Sequence, residues 1–333
     1  MSDVRDGKRY IPMNERTGNE SIVYFTRDIS PEGIKKAYEK VNEFITGKVA
    51  VKVHTGEPKG PNIIPPAWVM KVMEDEESLK DSKVVETNTF YYGDRYTTEQ
   101  HRETLKINGW DLDKVDIMDE EGTVTLPIKG GRHMKEMSHG KTMTDYDSMF
   151  VLTHFKGHTM GGFGGSNKNI GIGCADGQIG KKWIHQREGS DNMWSIAEEE
   201  LMERITESTK ATIDFFGKNI CYVNVMRNIS VSCDCEGVAA EPVVTPNVGI
   251  LASTDICAVD TACVDLIYAM CDGDRKAMVE RIETRHGHRQ LSYMKELGMG
   301  NSRYILIDLD NDEVRITPKE AVKDVKPFKK IAV

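Results

Sequence analysis

Seven cysteines in 333 residues are too few and too irregularly spaced to staple a fold. They exclude a disulfide framework and read as reduced thiols of a cytoplasmic protein, some buried and some free to serve as metal ligands. No apolar run approaches the length of a membrane span. The first residues, M-S-D-V-R-D-G-K-R-Y, lack the apolar core of a signal peptide. Positive charge is also in deficit: 44 Lys and Arg against 53 Asp and Glu leave a net charge of −9. That excludes a broad nucleic-acid-binding face while allowing a local basic pocket for a small anion. The phosphate loop G-x-x-x-x-G-K-[ST] does not occur. The dinucleotide fingerprint is absent too, because Gly162-Phe163-Gly164 is followed by Asn167 where the third glycine belongs. There is no internal repeat and no low-complexity segment. What remains, 39% hydrophobic and 29% charged, is a globular chain long enough for a single large domain, or for two lobes over about 20–150 and 151–320.

The order of elements predicts an α/β fold with a mostly parallel or mixed sheet flanked by helices. Val23-Tyr24-Phe25 reads as a short strand. Ser30-Pro31 opens a helix with an N-cap and a proline at its first position. Val49, Val51 and Val53 then share one face of a strand that ends in the loop Thr55–Pro61. A helix over 66–77 and a strand over 83–87 repeat the unit, the pattern of a parallel sheet. Further on, the spacing predicts a helix over 98–108, short strands over 112–118 and 123–128, and a long amphipathic helix over about 192–216. Strands at 222–226, 248–252, 304–309 and 314–316 and helices over 256–271 and 274–297 complete the set.

The stretch from Thr153 to Lys182 holds nine of the 29 glycines. It continues the apolar run Met149–Leu152, a buried strand. If the strand extends through His158, the period of two puts His154, Lys156 and His158 on one face. The glycines that follow are the raw material of a tight turn or of an amide-lined anion nest. Because ionisable groups coincide with the loop, a site is expected here, with Gly161, Gly162, Gly164, Gly165, Ser166, Asn167 and Lys168 contacting a ligand.

A second cluster begins at Cys233-Asp234-Cys235, two thiols on one face of an extended chain. A disulfide at that spacing is improbable. They are either reduced thiols in a turn or soft ligands for a Zn or Fe ion, completed by a His or carboxylate from elsewhere, with His154 and Asp255 as candidates. Asp255 is most simply a helix N-cap. Asp260 either favours the helix dipole or points into the strand-end crevice. Cys257 and Cys263 lie among alanines and suit packing.

Taken together, Lys52–Glu57, Thr87-Asn88-Thr89 with Tyr92–Arg95 and His101, His154–Gly173, Cys233–Cys235, and Leu251–Asp255 with Asp260 and Cys263 resemble domain-of-unknown-function family 362. The resemblance is strongest to its branch of "uncharacterized Fe-S center" proteins, and it covers most of residues 20–310. That branch usually carries a ferredoxin-like segment between the glycine stretch and C-D-C. Here Trp183–Ser232 contains one cysteine, Cys221. Ferredoxin-type clusters need four thiolates each, so no such cluster is expected. Electrons, if any, would come from a partner protein.

The residues therefore predict a strand-end site for a small anionic molecule. The leading reading is a metal-assisted, redox-linked enzyme; the other is a non-catalytic metal- or anion-binding accessory protein serving a partner enzyme. His158 or His54 would transfer protons, with Lys156 and Asp260 in the catalytic set. Lys156, Lys168 and Arg95 would hold anionic oxygens, and loop amides would stabilise developing charge. No nucleic-acid or membrane partner is expected. A redox partner or a second copy of the chain is.

Overall fold

The computed structural model of the protein describes residues 7–331. In chain order its elements are β1 (Glu20–Thr26), α1 (Pro31–Tyr38), β2 (Val49–Lys52), α2 (Pro66–Asp75), β3 (Ser82–Glu86), α3 (Thr98–Asn108), β4 (Val115–Ile117), β5 (Thr123–Pro127) and β6 (Glu136–Gly140). Then come β7 (Ser148–His154), β8 (Lys156–His158), β9 (Gly162–Gly164), α4 (Ser166–Gly173), α5 (Gly180–His185), α6 (Glu198–Phe216), β10 (Ile220–Met226) and β11 (Gly249–Ser253). The chain closes with α7 (Ile256–Ala269), α8 (Asp272–Thr284), α9 (His288–Glu296), β12 (Arg303–Asp308), β13 (Val314–Ile316) and α10 (Pro318–Ala321).

Nine strands form one mixed, mostly parallel sheet in the order β13-β12-β1-β11-β10-β7-β2-β3-β4. Strands from both halves of the sequence interleave in it. β12, β1, β10, β7, β2, β3 and β4 run one way, and β11 and β13 run the other. The central strands are buried on both faces, which explains their continuous apolar runs. Phe150 and Leu152 of β7 join Ile34, Tyr38 and Val69 in one core, while Met149 and Val151 join the α7 side in the other. Ser30 caps α1 by accepting from Gly33 N, with Pro31 at the first helical position, as those residues imply.

The direction of β11 organises the rest. A parallel neighbour needs a crossover to the far edge of the sheet, whereas an antiparallel neighbour is reached along the same edge. β10 and β11 are antiparallel, Met226 opposite Gly249 and Tyr222 opposite Ser253. Residues 227–248, including Cys233–Cys235, therefore lie over the edge where β2, β3 and β7 also end. The same reversal carries the end of β11, and Asp255 with it, to the opposite edge.

Two segments differ from the sequence-based reading. Half of the glycine stretch is not a loop: Ser166–Gly173 is the helix α4, and β8 and β9 form a small hairpin before it. Glycine is needed there for close approach. A Cβ on Gly171 would lie 2.4 Å from Ile205 O, and one on Gly173 would lie 2.2 Å from Lys52 Cε. The long helix starts at Glu198, later than its periodicity suggests. Ser190 Oγ accepts from Asn192 N, and Asn192 Oδ1 accepts from Trp194 N, local bonds that compete with helix formation. Trp194 is thereby left in a loop.

Candidate functional site

A cavity of about 430 Å³ opens at the strand-end edge. Lys52 and His54 of the β2 end, Glu86 of β3, Lys156 and His158 of β8, Lys168 of α4 and Cys235 of the 227–248 connection all line it. Its apolar wall is Phe90, Tyr91, His185 and Trp194. Phe90 stacks on His185 at 5.0 Å, and Trp194 meets both rings edge-on.

Five cations border this cavity, and four of them are engaged by protein acceptors. Lys52 Nζ donates to Glu86 Oε1 at 3.0 Å, to Val53 O and to Asn169 Oδ1. Arg95 donates through Nε and Nη2 to Glu57 Oε1, at 2.9 and 2.7 Å. Lys156 pairs with Asp234 at 2.9 Å. Lys181 donates to Thr87 Oγ1 and to backbone carbonyls, and burial lowers its amine to about 8. Lys168, 9% exposed, has no hydrogen bond or ion pair among the described residues.

The two histidines beside the thiols share an arrangement. His54 Nδ1 accepts from Gly56 N at 3.0 Å, and His158 Nδ1 accepts from Gly161 N at 2.8 Å and Met160 N at 3.3 Å. A neutral imidazole that accepts at one nitrogen carries its proton on the other. Both rings therefore carry their proton on Nε2, and the Cys233 sulfur lies near both. Burial lowers the pKa of both, that of His158 to about 4 with the Lys168 charge adding to the effect. The pair Cys233 and Cys235 is tightly coupled. Cys233 is held well below an ordinary thiol, first by the hydrogen bond from Cys235 and then by Lys168 and His158. Cys235 is raised by the same hydrogen bond and by burial.

Of the residues expected in a metal set, the structure brings Cys233 and Cys235 together with His158, their ligand-type atoms all within 4.8 Å of one another. His154, bonded to Asp234 of the same turn, and Asp255, at the opposite edge, are not in this group, which corrects the expected grouping. His154 Nδ1 donates to Asp234 at 2.8 Å and its Nε2 to Arg227 O at 2.7 Å, so neither nitrogen offers a lone pair. Asp255 caps α7 through Ala258 N and holds Ser21 Oγ and Asn301 N at the opposite edge. The donor set also fits a metal poorly at His158. A ligating imidazole donates its second N–H to an acceptor, and here that nitrogen faces two backbone N–H groups.

The expected amide nest is filled from within. Asp260 accepts from Ser166 N at 2.8 Å, Asn167 N at 2.9 Å and Asn224 Nδ2. Asp260 is thus the cap of α4, fully buried behind the cavity, and burial raises its carboxyl to about 6. Gly165 is glycine because a Cβ there would lie 2.5 Å from Asp260 Oδ1. Gly161 N is spent on His158, Gly162 takes a φ of +76° against Gly287, and Asn167 Nδ2 donates to Thr206 and Gln290. Ser166 Oγ donates to Asn224. Of the seven expected ligand contacts in this stretch, Gly164, Gly165 and Lys168 reach the cavity wall. Arg95 reaches it too, with its charge committed to Glu57.

Sequence reasoning missed Lys52, Glu86, Lys181, Asp234 and the aromatic wall. A signal existed for the first two. A lysine inside the valine strand V-A-V-K-V and a glutamate ending K-V-V-E sit near the same level of adjacent parallel strands, and buried charges there require each other.

Fold and site together define an α/β protein with a cavity at the carboxyl ends of its parallel strands. The sequence matches the family described as "Domain of unknown function (DUF362)" over residues 49–265, and the chain belongs to that family. No curated protein matches it. Among solved structures it is similar to the lactate racemase apoprotein from Thermoanaerobacterium thermosaccharolyticum, with 14% identity, a TM-score of 0.40 and coverage of 95% of this chain and 88% of that one. It is also similar to a protein from Thermotoga maritima, with 15% identity, a TM-score of 0.39 and coverage of 77% and 57%. Among the described residues no helix is long and apolar enough to cross a membrane.

Proposed function

We propose that the cavity binds a small organic anion and that the chain acts on it at the Cys233–Cys235 thiols. The observation that supports this is Lys168. A buried ammonium without a partner is costly, and Lys52, Arg95 and Lys156, which border the same space, each have a carboxylate. Lys168 has only the sulfurs of Cys233 and Cys235 nearby, and an anion entering the cavity would give it a hydrogen-bonded carboxylate. The aromatic wall suits the carbon skeleton of such a molecule, and the half-buried Cys235 suits contact with it.

The test is a calorimetric titration of the purified protein with oxalate. One site per chain is expected, and Lys168→Ala should weaken it by at least about tenfold, the loss of one charge-assisted hydrogen bond. Lys168 lies at the cavity wall, so its removal should leave the unfolding midpoint close to that of the wild type. Equal affinity in the two proteins would refute the assignment.

A further inference from the structure

We propose that His185 is the hydrogen-bond acceptor that selects the ligand, so that the cavity takes aryl carboxylates carrying a ring hydroxyl, with the carboxylate on Lys168 and the hydroxyl donating to His185 Nε2. The inference rests on the anion-binding reading above and gives its substrate class.

Three histidines line the cavity, and their backbone partners set one of them apart. Nδ1 of His54 and Nδ1 of His158 accept from the amides of Gly56 and Gly161, so both rings carry their proton on Nε2. His185 is held the other way round. It is the last residue of α5, and its Nδ1 lies 2.8 Å from Lys181 O, one turn back. A carbonyl oxygen can only accept, so Nδ1 carries the proton and the lone pair of the neutral ring sits on Nε2. Burial keeps the ring neutral, lowering its pKa to about 3, and the Lys168 charge acts in the same direction. Nε2 has no hydrogen-bond partner among the described residues, and protein does not enclose it.

The carboxylates that line the same space are already taken. Glu86 accepts from Lys52 Nζ and Thr55 N, and Glu236 accepts from Thr159 Oγ1, Ser232 Oγ and Cys233 N. Among the described residues the cavity thus offers one cation without a hydrogen bond or ion pair, Lys168, and one imidazole lone pair, that of His185. Both face a space of about 430 Å³, within the range of pockets that enclose a whole organic ligand.

The surroundings of Nε2 set the chemistry of its partner. With five cations bordering the cavity, an ammonium at this position would meet like charge. The donor is therefore neutral, and a hydroxyl supplies it. Phe90 stacks on His185 at 5.0 Å, and Trp194 meets the ring edge-on at 5.2 Å. A hydroxyl that reaches Nε2 lies among these rings, where a flat aryl skeleton packs by offset stacking or edge contact. Such a ligand displaces the water that Nε2 would otherwise bind, and its hydroxyl replaces the lost hydrogen bond. A ligand of the same shape without a donor leaves the acceptor unsatisfied.

Calorimetric titration of the full chain at pH 7 tests the inference. The ligands are 3- and 4-hydroxybenzoate, their methyl ethers, and benzoate. At least one hydroxybenzoate should bind about tenfold tighter than benzoate and than its own ether, the worth of one hydrogen bond to an otherwise unsatisfied acceptor. His185→Phe keeps a flat ring and removes the lone pair, so the hydroxybenzoate should fall to the level of benzoate. Lys168→Ala should weaken every ligand that binds. Nitrogen NMR of labelled wild-type protein decides the matter should His185→Phe fail to fold. The His185 Nε2 resonance should be that of an unprotonated nitrogen, and it should move on adding the hydroxybenzoate but not benzoate. Equal affinity for hydroxybenzoates and benzoate, with Lys168 still required, overturns the role of His185 and leaves the anion site standing. A hydroxyl preference that survives in His185→Phe, or a protonated Nε2, also overturns that role. Binding of oxalate but of no benzoate overturns the aryl class alone. Affinities unchanged in Lys168→Ala overturn the anion site itself.

Discussion

Glu86→Ala should destabilise the folded chain by about 3–5 kcal/mol, the cost of removing one partner from a buried ion pair. Glu86 is 3% exposed and Lys52 1%. The Glu86 carboxylate accepts Lys52 Nζ at 3.0 Å and Thr55 N at 3.3 Å, and the Arg95 guanidinium stands 3.9 Å away. Without it the Lys52 ammonium keeps two neutral acceptors and no counter-charge. Burial works to raise the Glu86 carboxyl, but Lys52, with Arg95 behind it, outweighs burial and holds the group well below the usual carboxylate range. A carboxyl depressed on folding stabilises the protein above its unfolded value, near pH 4, and that contribution is lost as the pH falls through the folded value. Wild-type protein should therefore keep this contribution at neutral pH and lose it in strong acid, while the variant lacks it throughout. Urea unfolding at pH 7 is the measurement. A loss below about 1 kcal/mol, the scale of an exposed pair, would mean that Lys52 and Glu86 are not locked together.

Asp234→Asn should produce a loss of similar size, about 3–5 kcal/mol, because one carboxylate serves two buried cationic side chains. Asp234 accepts His154 Nδ1 at 2.8 Å and Lys156 Nζ at 2.9 Å. Burial would raise its carboxyl, and the charges of His154 and Lys156 instead hold it well below the usual range. The asparagine keeps the shape and one acceptor oxygen but not the charge, and its NH2 group replaces the second acceptor. This carboxylate also ties the C-D-C turn to the ends of β7 and β8. The variant should accordingly unfold at lower urea and expose Cys233 to alkylation. Wild-type stability with Cys233 still shielded would show that the turn is held by other contacts, such as Glu236 on Cys233 N.

The elements that reach the site were legible because their patterns are strong. The valines of β2, the run Met149–Leu152 before the glycine stretch and the Ser30-Pro31 helix start all appear in the fold as their residues imply. The glycines were harder to read, since close packing and positive φ call for the same residue. Gly171 and Gly173 serve the first, and Gly162 the second. Strand direction was not legible at all. β11 has the apolar run of a parallel strand, and its antiparallel placement is decided by the connection 227–248. That one reversal moved Asp255 out of the site and left Cys233–Cys235 in it. Paired charges were hidden for another reason: Lys52 and Glu86 are 34 residues apart in sequence, and their bond follows from the register of β2 and β3.

The central claim is an anion held by Lys168 beside Cys235, and a crystal structure of the chain grown with oxalate tests it most directly. One carboxylate should lie about 3 Å from Lys168 Nζ, the distance of a charge-assisted hydrogen bond. The rest of the molecule should point toward Cys235, and His158 Nδ1 should stay on the amide of Gly161. Oxalate bound elsewhere with the cavity filled by solvent, or a metal ion joining both sulfurs to a turned His158 ring, would contradict the account.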